Sequence, residues 1–156
     1  MHASHLATPV QTLPASSTVA EVASRVLDAA LPGVVIDGPE PRRVRWVSTA
    51  DLMRLIAPRY AREDLAVAAV LDSADSRGIE GVRASQIGAV LDDDDVHYEI
   101  EQVEADAGLL ELALRLVHSR APLLLVESGD DPPGFVTDAQ VLSALTEVSD
   151  GGAGRR

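Results

Sequence analysis

The sequence contains no cysteine, which excludes disulfide bonds and thiolate metal sites and leaves the redox compartment open. Aromatic residues make up only 3% of the chain and hydrophobic residues 46%, so a core has to be built from Val, Leu, Ile and Ala side chains. No apolar run approaches the roughly 20 residues that cross a bilayer. The first residues also lack the charged-then-apolar pattern of a secretion signal. We therefore expect a cytoplasmic protein that does not insert into membranes.

Lysine is absent as well, so the 13 basic residues are all arginines, against 25 Asp and Glu residues. The formal net charge is −12 and the pI is about 4.5. Such a surface repels nucleic-acid phosphates and anionic lipid headgroups, which proteins bind through clustered basic side chains. We expect no nucleic-acid partner.

The chain contains two copies of one pattern, and residues 19–37 align with residues 109–128. The apolar positions of the two copies coincide and recur at the 3.6-residue period of a helix with one buried face. Thr18 and Asp106 stand where the N-caps of these helices are expected. The apolar positions are Val19, Val22, Ala23, Val26 and Ala30 in the first copy and Leu109, Leu112, Ala113, Leu116 and Val117 in the second.

Each helix is followed by a proline and a short apolar run, at residues 33–36 and 123–126, which is typical of strands buried on both faces. A turn-rich stretch and a second short strand come next. Ser48 and Thr137 then occupy the N-caps of a last short helix in each copy. A further strand is expected before each long helix, at residues 10–13 and 100–103.

Four segments follow from this comparison. Residues 2–8 resemble residues 83–89, so the first repeat covers residues 1–58 and the second covers residues 82–148. Residues 59–81 form a mostly helical connector, and the Gly-rich tail, residues 149–156, is expected to be disordered. The expected fold class is α/β (α+β in some schemes), with two β-α-β-β-α repeats.

The step from the second strand to the last helix resembles a known family. It reads Arg45-Trp46-Val47-Ser48-Thr49-Ala50-Asp51 in the first copy and Gly134-Phe135-Val136-Thr137-Asp138-Ala139-Gln140 in the second. In CBS (cystathionine β-synthase type) domains the step reads Gly, two apolar residues, Ser or Thr, two variable residues and Asp. With the proline-plus-apolar strand and the hairpin, nearly the whole chain resembles a tandem CBS pair, or Bateman module. The connector segment Pro58-Arg59-Tyr60 is similar to that of short stand-alone bacterial CBS-pair proteins.

The resemblance implies two domains whose sheets pack about a pseudo-twofold axis, and a homodimer formed through helices. It also implies an adenine nucleotide, such as AMP, ADP, ATP or S-adenosylmethionine, bound in a cleft between the domains. The module would report ligand status to a separate effector protein, such as an enzyme or a transporter. No cofactor is required.

The motif has a simple chemical logic. Ser48 and Thr137 open helices, where free N–H groups and the helix dipole favour a phosphate. One turn on, Asp51 offers a carboxylate to ribose hydroxyls, whereas Gln140 offers an uncharged amide. Arg45, in place of the usual Gly, would either clamp a phosphate or block the cleft. We therefore rank the first copy's site above the second. The strands after the two prolines would supply a wall and amide groups for a purine, at Pro32, Val34, Val47, Pro122, Leu124 and Val136.

Simpler interpretations stand beside these. A Ser or Thr that opens a helix is often only a cap, worth about 1 kcal/mol, so the alternative function is a ligand-free dimerisation or docking scaffold. His2 and His5 could be metal ligands only with a third partner, and residues 92–95 are expected to form a solvated acidic loop. No catalytic motif is present, and we expect no enzyme.

Overall fold

The computed structural model of this chain describes residues 1–38, 40, 43–57, 59–63, 66, 76–127 and 134–151. The helices are α1 (Ala3–Leu6), α2 (Val19–Asp28), α3 (Thr49–Ile56), α4 (Arg59–Glu63), α5 (Ser76–Ala84), α6 (Ile87–Asp93), α7 (Leu109–His118) and α8 (Asp138–Gly151). The strands are β1 (Thr12–Leu13), β2 (Gly33–Asp37), β3 (Val44–Ser48), β4 (Gln102–Glu104), β5 (Leu123–Glu127) and β6 (Gly134–Thr137). None of the helices in these described ranges combines the length and apolar character that a membrane span requires.

The two sheets have the same topology. One has the strand order β1-β2-β3 and the other β4-β5-β6. In each, the first pair is parallel and the second antiparallel. The antiparallel register places Gly33 opposite Ser48 and Leu123 opposite Thr137. The mixed helix and strand fold is therefore confirmed, and the two sheets share the strand pattern expected of two β-α-β-β-α units.

The chain divides into two compact units that cut across the sequence repeats. The central unit consists of residues 12–98, and the terminal unit combines residues 1–11 with those from residue 99 onward. The segment before each copy's first strand therefore belongs to the unit that holds the other copy's sheet. The repeat boundaries remain a division by sequence similarity.

Backbone hydrogen bonds hold each of these exchanged segments. In the terminal unit, the Ala3 N–H donates to the Ala107 carbonyl at 2.9 Å, and Thr8 and Phe135 exchange N–H donors at 2.8–2.9 Å. In the central unit, the Ile87 N–H donates to the Ser17 carbonyl at 2.8 Å. Ala3 and Ile87 are both fully buried.

Each unit has its own aliphatic core on the helix-facing side of its sheet. The central core consists of Val19, Val22, Val26, Val34, Ile36, Val47, Leu52, Leu55, Ile87, Leu91 and Tyr98. The terminal core consists of Ala3, Val103, Ala107, Leu112, Leu124, Val126, Val136 and Val141. The composition predicted such aliphatic cores.

Only one of the two expected long-helix caps forms. Thr18 makes a capping box with Glu21, in which the Thr18 N–H donates to the Glu21 carboxylate at 2.7 Å and the Glu21 N–H donates to the Thr18 hydroxyl at 3.2 Å. The expectation for Asp106 is wrong, because Gly108 is the N-cap of α7 and has no side chain to accept a bond. The Asp106 carbonyl instead accepts a hydrogen bond from the His2 ring at 2.7 Å.

The connector is helical at both ends, in α4 and α5, and the part between them lies largely outside the described residues. Helix α8 extends to Gly151, so the first residues of the proposed tail are helical. The remainder, residues 152–156, lies outside the described part of the chain.

Candidate functional site

The step from β3 to α3 is closed by reciprocal hydrogen bonds. The Ser48 N–H and the Ser48 hydroxyl both donate to Oδ2 of Asp51, at 2.9 and 2.8 Å. The Asp51 N–H donates back to the Ser48 Oγ at 3.1 Å. Asp51 is only 4% exposed. The two residues that sequence reasoning assigned to phosphate and ribose are therefore brought together, and they form a capping box.

The step from β6 to α8 repeats this geometry with an amide in place of the carboxylate. The Thr137 N–H and hydroxyl donate to Oε1 of Gln140 at 2.8 and 3.1 Å, and the Gln140 N–H donates to the Thr137 hydroxyl at 3.3 Å. Gln140 differs from Asp51 in its second function. Its Nε2 donates to the Leu6 carbonyl at 3.1 Å and to the Thr8 hydroxyl at 3.3 Å. The amide thus anchors the exchanged N-terminal segment, which a carboxylate has no N–H to do.

The proposed wall residues lie mainly in the cores. Val34 and Val47 pack in the central core and Leu124 and Val136 in the terminal core. Their side chains face the helices, so only their backbone groups remain for a ligand. The carbonyls of the two prolines accept hydrogen bonds from the first residues of α3 and α8. The Pro32 carbonyl accepts from the Thr49 N–H at 3.1 Å, and the Pro122 carbonyl accepts from the Asp138 N–H at 2.9 Å.

The opposite face of each sheet carries an aromatic residue that sequence reasoning did not select. Trp46 and Phe135 occupy equivalent positions next to the strand–helix steps. Both are buried, yet neither belongs to a helix-side core. The alternation of side chains along a strand could have placed both aromatic residues on this face, because each directly precedes a residue that faces the helices.

Arg45 forms a salt bridge with an acidic residue of α6. Its Nη1 contacts Oδ1 of Asp92 at 2.7 Å, and its Nη2 donates to the Asp37 carbonyl at 3.4 Å. The side chain is 11% exposed and lies against α6, where a Cβ on Gly88 would come within 3.4 Å of Nη2. In the second copy, Gly134 occupies the position of Arg45. A Cβ on Gly134 would lie only 2.8 Å from the Ala7 Cβ, so a larger residue does not fit there.

Asp94 forms an ion cluster that the sequence did not indicate, and the expectation of a purely solvated acidic loop is wrong at this residue. Its side chain is 5% exposed and contacts Arg62 Nη1 at 3.3 Å and Arg54 Nη2 at 3.8 Å. Burial raises the pKa of Asp94, but the hydrogen bonds from the Val96 N–H, Arg62 and Tyr98 and the charge of Arg54 outweigh it. The pKa is held below its ordinary value of 3.8.

A cavity of about 630 Å³ opens beside this cluster, within the central unit. The C-terminal end of α3, helix α4 and the loop after α6 form its walls. Its lining residues are Met53, Arg54, Ala57, Arg59, Arg62, Glu63, Asp94 and Asp95.

The His2 and His5 rings lie 6.0 Å apart, centre to centre. In the described ranges, no group of three or more His, Cys, Asp or Glu side chains is placed to hold a metal ion.

No family model matches the sequence, and no curated protein matches it. Solved structures do match. A CBS domain-containing protein of unknown function from Kribbella flavida is 21% identical, with a TM-score of 0.74 over 94% of this chain and 99% of that one. CBSX2 in complex with AMP is 15% identical, with a TM-score of 0.63 over 95% and 98%. CbpB in complex with c-di-AMP is 19% identical, with a TM-score of 0.64 over 97% and 88%. The chain has the fold of a tandem CBS pair, as the sequence motifs predicted.

Proposed function

We propose that this chain is a regulatory module that binds an adenine nucleotide and signals to a separate effector protein such as an enzyme or a transporter. The candidate ligands are AMP, ADP, ATP and S-adenosylmethionine. The observation that carries the proposal is the pair of equivalent hydroxyl-capped strand–helix steps, Ser48 with Asp51 and Thr137 with Gln140. The fold is shared with a protein solved with AMP and another solved with c-di-AMP.

The buried state of Asp51 suggests how binding would be transmitted. Oδ2 of Asp51 already accepts two donors from Ser48, and the residue is only 4% exposed, so a ribose would replace those donors only if the first turn of α3 opens. A ligand that replaces those donors stabilises an opened turn, and differential affinity for two states is what shifts a conformational equilibrium. The capping box is then the element that the nucleotide biases.

The central site ranks above the terminal one. Asp51 carries the charge that makes hydrogen bonds to ribose hydroxyls strong. Gln140 lacks this charge, and its amide nitrogen is already bonded to Leu6 and Thr8. We expect Asp51→Ala to weaken nucleotide binding more than Gln140→Ala.

Thermal unfolding with each candidate nucleotide tests the proposal. A ligand at a hundred times its Kd should add about 2.7 kcal/mol of stability. Asp51→Asn keeps an oxygen acceptor for the cap but removes the charge, and should weaken binding about tenfold. Asp138→Asn, an exposed carboxylate in the first turn of α8, is the matched control and should bind as the wild type does. The absence of any shift at millimolar ligand would refute nucleotide binding.

A second candidate function, a dimerisation scaffold, is favoured by a separate observation. Leu110, Leu114 and Val117 recur along one face of α7, Leu142 lies on α8, and all four are 55–78% exposed. The sequence pattern placed Val117 on the buried face of the helix, and its 78% exposure shows that this was wrong. Covering the part of each side chain that is still exposed is worth about 1–2 kcal/mol. The four together, on both protomers of a homodimer, can therefore offset the roughly 4–15 kcal/mol lost on association.

Light scattering after size exclusion tests this scaffold. Leu114→Glu should convert a dimer to a monomer, because it places a charge in the middle of the apolar face. Ser24→Glu is the matched control, since Ser24 is the exposed counterpart of Leu114 on α2. A wild type that is monomeric at all concentrations would rule out the homodimer.

A further inference from the structure

We propose that the cavity formed by α3, α4 and the loop after α6 binds a small monophosphate ester through Arg54, Arg59 and Arg62. This site lies within the central unit and is distinct from the Ser48–Asp51 step, which does not line it. The proposal is independent of whether the strand–helix steps bind a nucleotide.

Size and lining fit such a ligand. A volume of about 630 Å³ lies within the roughly 300–1,000 Å³ of small-molecule sites. Three arginines line it from two helices, and guanidinium forks match phosphate oxygens in bidentate geometry. Met53 and Ala57 supply an apolar surface for the organic part.

The arginines retain donors that the protein leaves unused. Asp94 engages one terminal nitrogen of Arg54 and one of Arg62, out of five N–H donors on each guanidinium. The Nε of Arg62 is buried, so the donors of Arg62 within reach of a ligand are those of its terminal nitrogens. Arg59 is exposed, and no described carboxylate pairs with it. Asp94 therefore orients two arginines without saturating them.

Charge sets the class of ligand. Asp94 neutralises one of the three positive charges, and Glu63 and Asp95 lie at the wall with their own negative charges. These two acids accept hydrogen bonds from sugar hydroxyls but repel additional phosphate groups. The three arginines and three acids of the lining cancel in net charge, so a monophosphate is bound through the directed donors of the guanidinium groups, and the added charge of a di- or triphosphate is repelled.

The alternative interpretation is that the arginines only fasten the connector helix to the core through Asp94. That structural role explains Arg54 and Arg62. It does not explain Arg59, which lines the same cavity without an acidic partner among the described residues.

Titration calorimetry of the full chain with ribose 5-phosphate, at low and matched ionic strength, tests the site. Arg59→Gln should weaken binding about tenfold, because it removes a charge-assisted contact and no protein contact is lost. Arg77→Gln, an exposed arginine on α5, is the matched control and should leave binding unchanged. Glu63→Gln keeps an oxygen that accepts from a sugar hydroxyl and removes a charge that repels the phosphate, so it should strengthen binding severalfold. Inorganic pyrophosphate should bind more weakly than ribose 5-phosphate.

The result for Asp51→Asn separates this site from the proposed nucleotide site, since it should leave ribose 5-phosphate binding unchanged. The inference is overturned if the wild type gives no heat of binding, if Arg59→Gln and Arg77→Gln behave alike, or if Glu63→Gln weakens binding.

Discussion

Replacing Gln140 with Glu should loosen the N-terminal segment from the terminal unit, because one atom changes and its partners do not. The Leu6 carbonyl has no proton to give, so the Gln140 atom facing it is the donor Nε2. The Thr137 N–H has only a proton to give, so the atom facing it is Oε1. In the Glu variant the caps on Thr137 survive, and an oxygen replaces the nitrogen that faces Leu6.

The magnitude follows from the bond to the Leu6 carbonyl, at 3.1 Å, because the Thr8 hydroxyl can turn and donate to the new carboxylate. The lost bond contributes about 0.5–1.5 kcal/mol, and the variant also places a carboxylate oxygen against the Leu6 carbonyl oxygen, so we expect a loss of about 1–2 kcal/mol at pH 7. For a chain of this length that loss lowers Tm by about 2–8 °C. Amide exchange of the N-terminal residues should accelerate in parallel, since their attachment to Phe135 and Ala107 weakens.

The pH dependence has a definite sign. A protonated Glu can again donate to the Leu6 carbonyl, so the fold raises the pKa of the introduced carboxyl above its ordinary value of about 4.3. The restored stability is complete below that ordinary value and is lost as pH rises through the folded pKa. The difference between variant and wild type should therefore shrink on acidification from pH 7 to about pH 4.

Urea unfolding across this range, with Gln86→Glu as an exposed control of the same chemistry, measures both effects. The reasoning is refuted if the Gln140→Glu variant is as stable as the wild type at pH 7. It is also refuted if the difference in unfolding free energy between the two proteins grows on acidification.

Substitutions at three further positions should change the stability by predictable amounts. Gly134→Ala places a Cβ 2.8 Å from the Ala7 Cβ and should cost about 1–3 kcal/mol. Gly108→Ala meets nothing within 4 Å and should cost less, at most about 1 kcal/mol, because Ala is a poorer N-cap than Gly. Denaturant midpoints check the pair. Asp94→Asn should cost about 1–2 kcal/mol at pH 7. Because the folded pKa of Asp94 lies below 3.8, that difference should shrink as pH falls below 3.8, as acid titrations of both proteins will show. Thr18→Ala removes a capping bond and should lower stability by about 1 kcal/mol in thermal melts, with the sheets unchanged by circular dichroism.

Much of the fold could be predicted because it depends on local patterns. The apolar period of α2 and α7, the proline before β2 and β5, and the hydroxyl before α3 and α8 each act over a few residues. Repeated twice at equivalent positions, they were sufficient to identify the duplication and the strand–helix steps. Asp106 shows where this reasoning fails, since a good capping residue two positions early leaves Gly108 to begin the helix.

The candidate site was predicted only in part, for the same reason. Sequence spacing brings Ser48 next to Asp51, but it does not show that the carboxylate is buried in its own cap. Strand alternation could have indicated Trp46 and Phe135. No local signal indicated the pairing of Arg45 with Asp92, because the partners are 47 positions apart.

By itself, the sequence determined the aliphatic core, the repeated β-α-β-β-α order and the residues that open the helices. Tertiary structure alone decided that each copy's leading segment packs on the other copy's sheet and that Asp94 gathers two arginines beside a cavity. The physical reason is the distance along the chain between the residues that interact. Helical period and caps are satisfied within one or two turns, whereas the bond from Gln140 to Leu6 joins residues 134 positions apart. Such a bond forms only after both cores have brought its partners together.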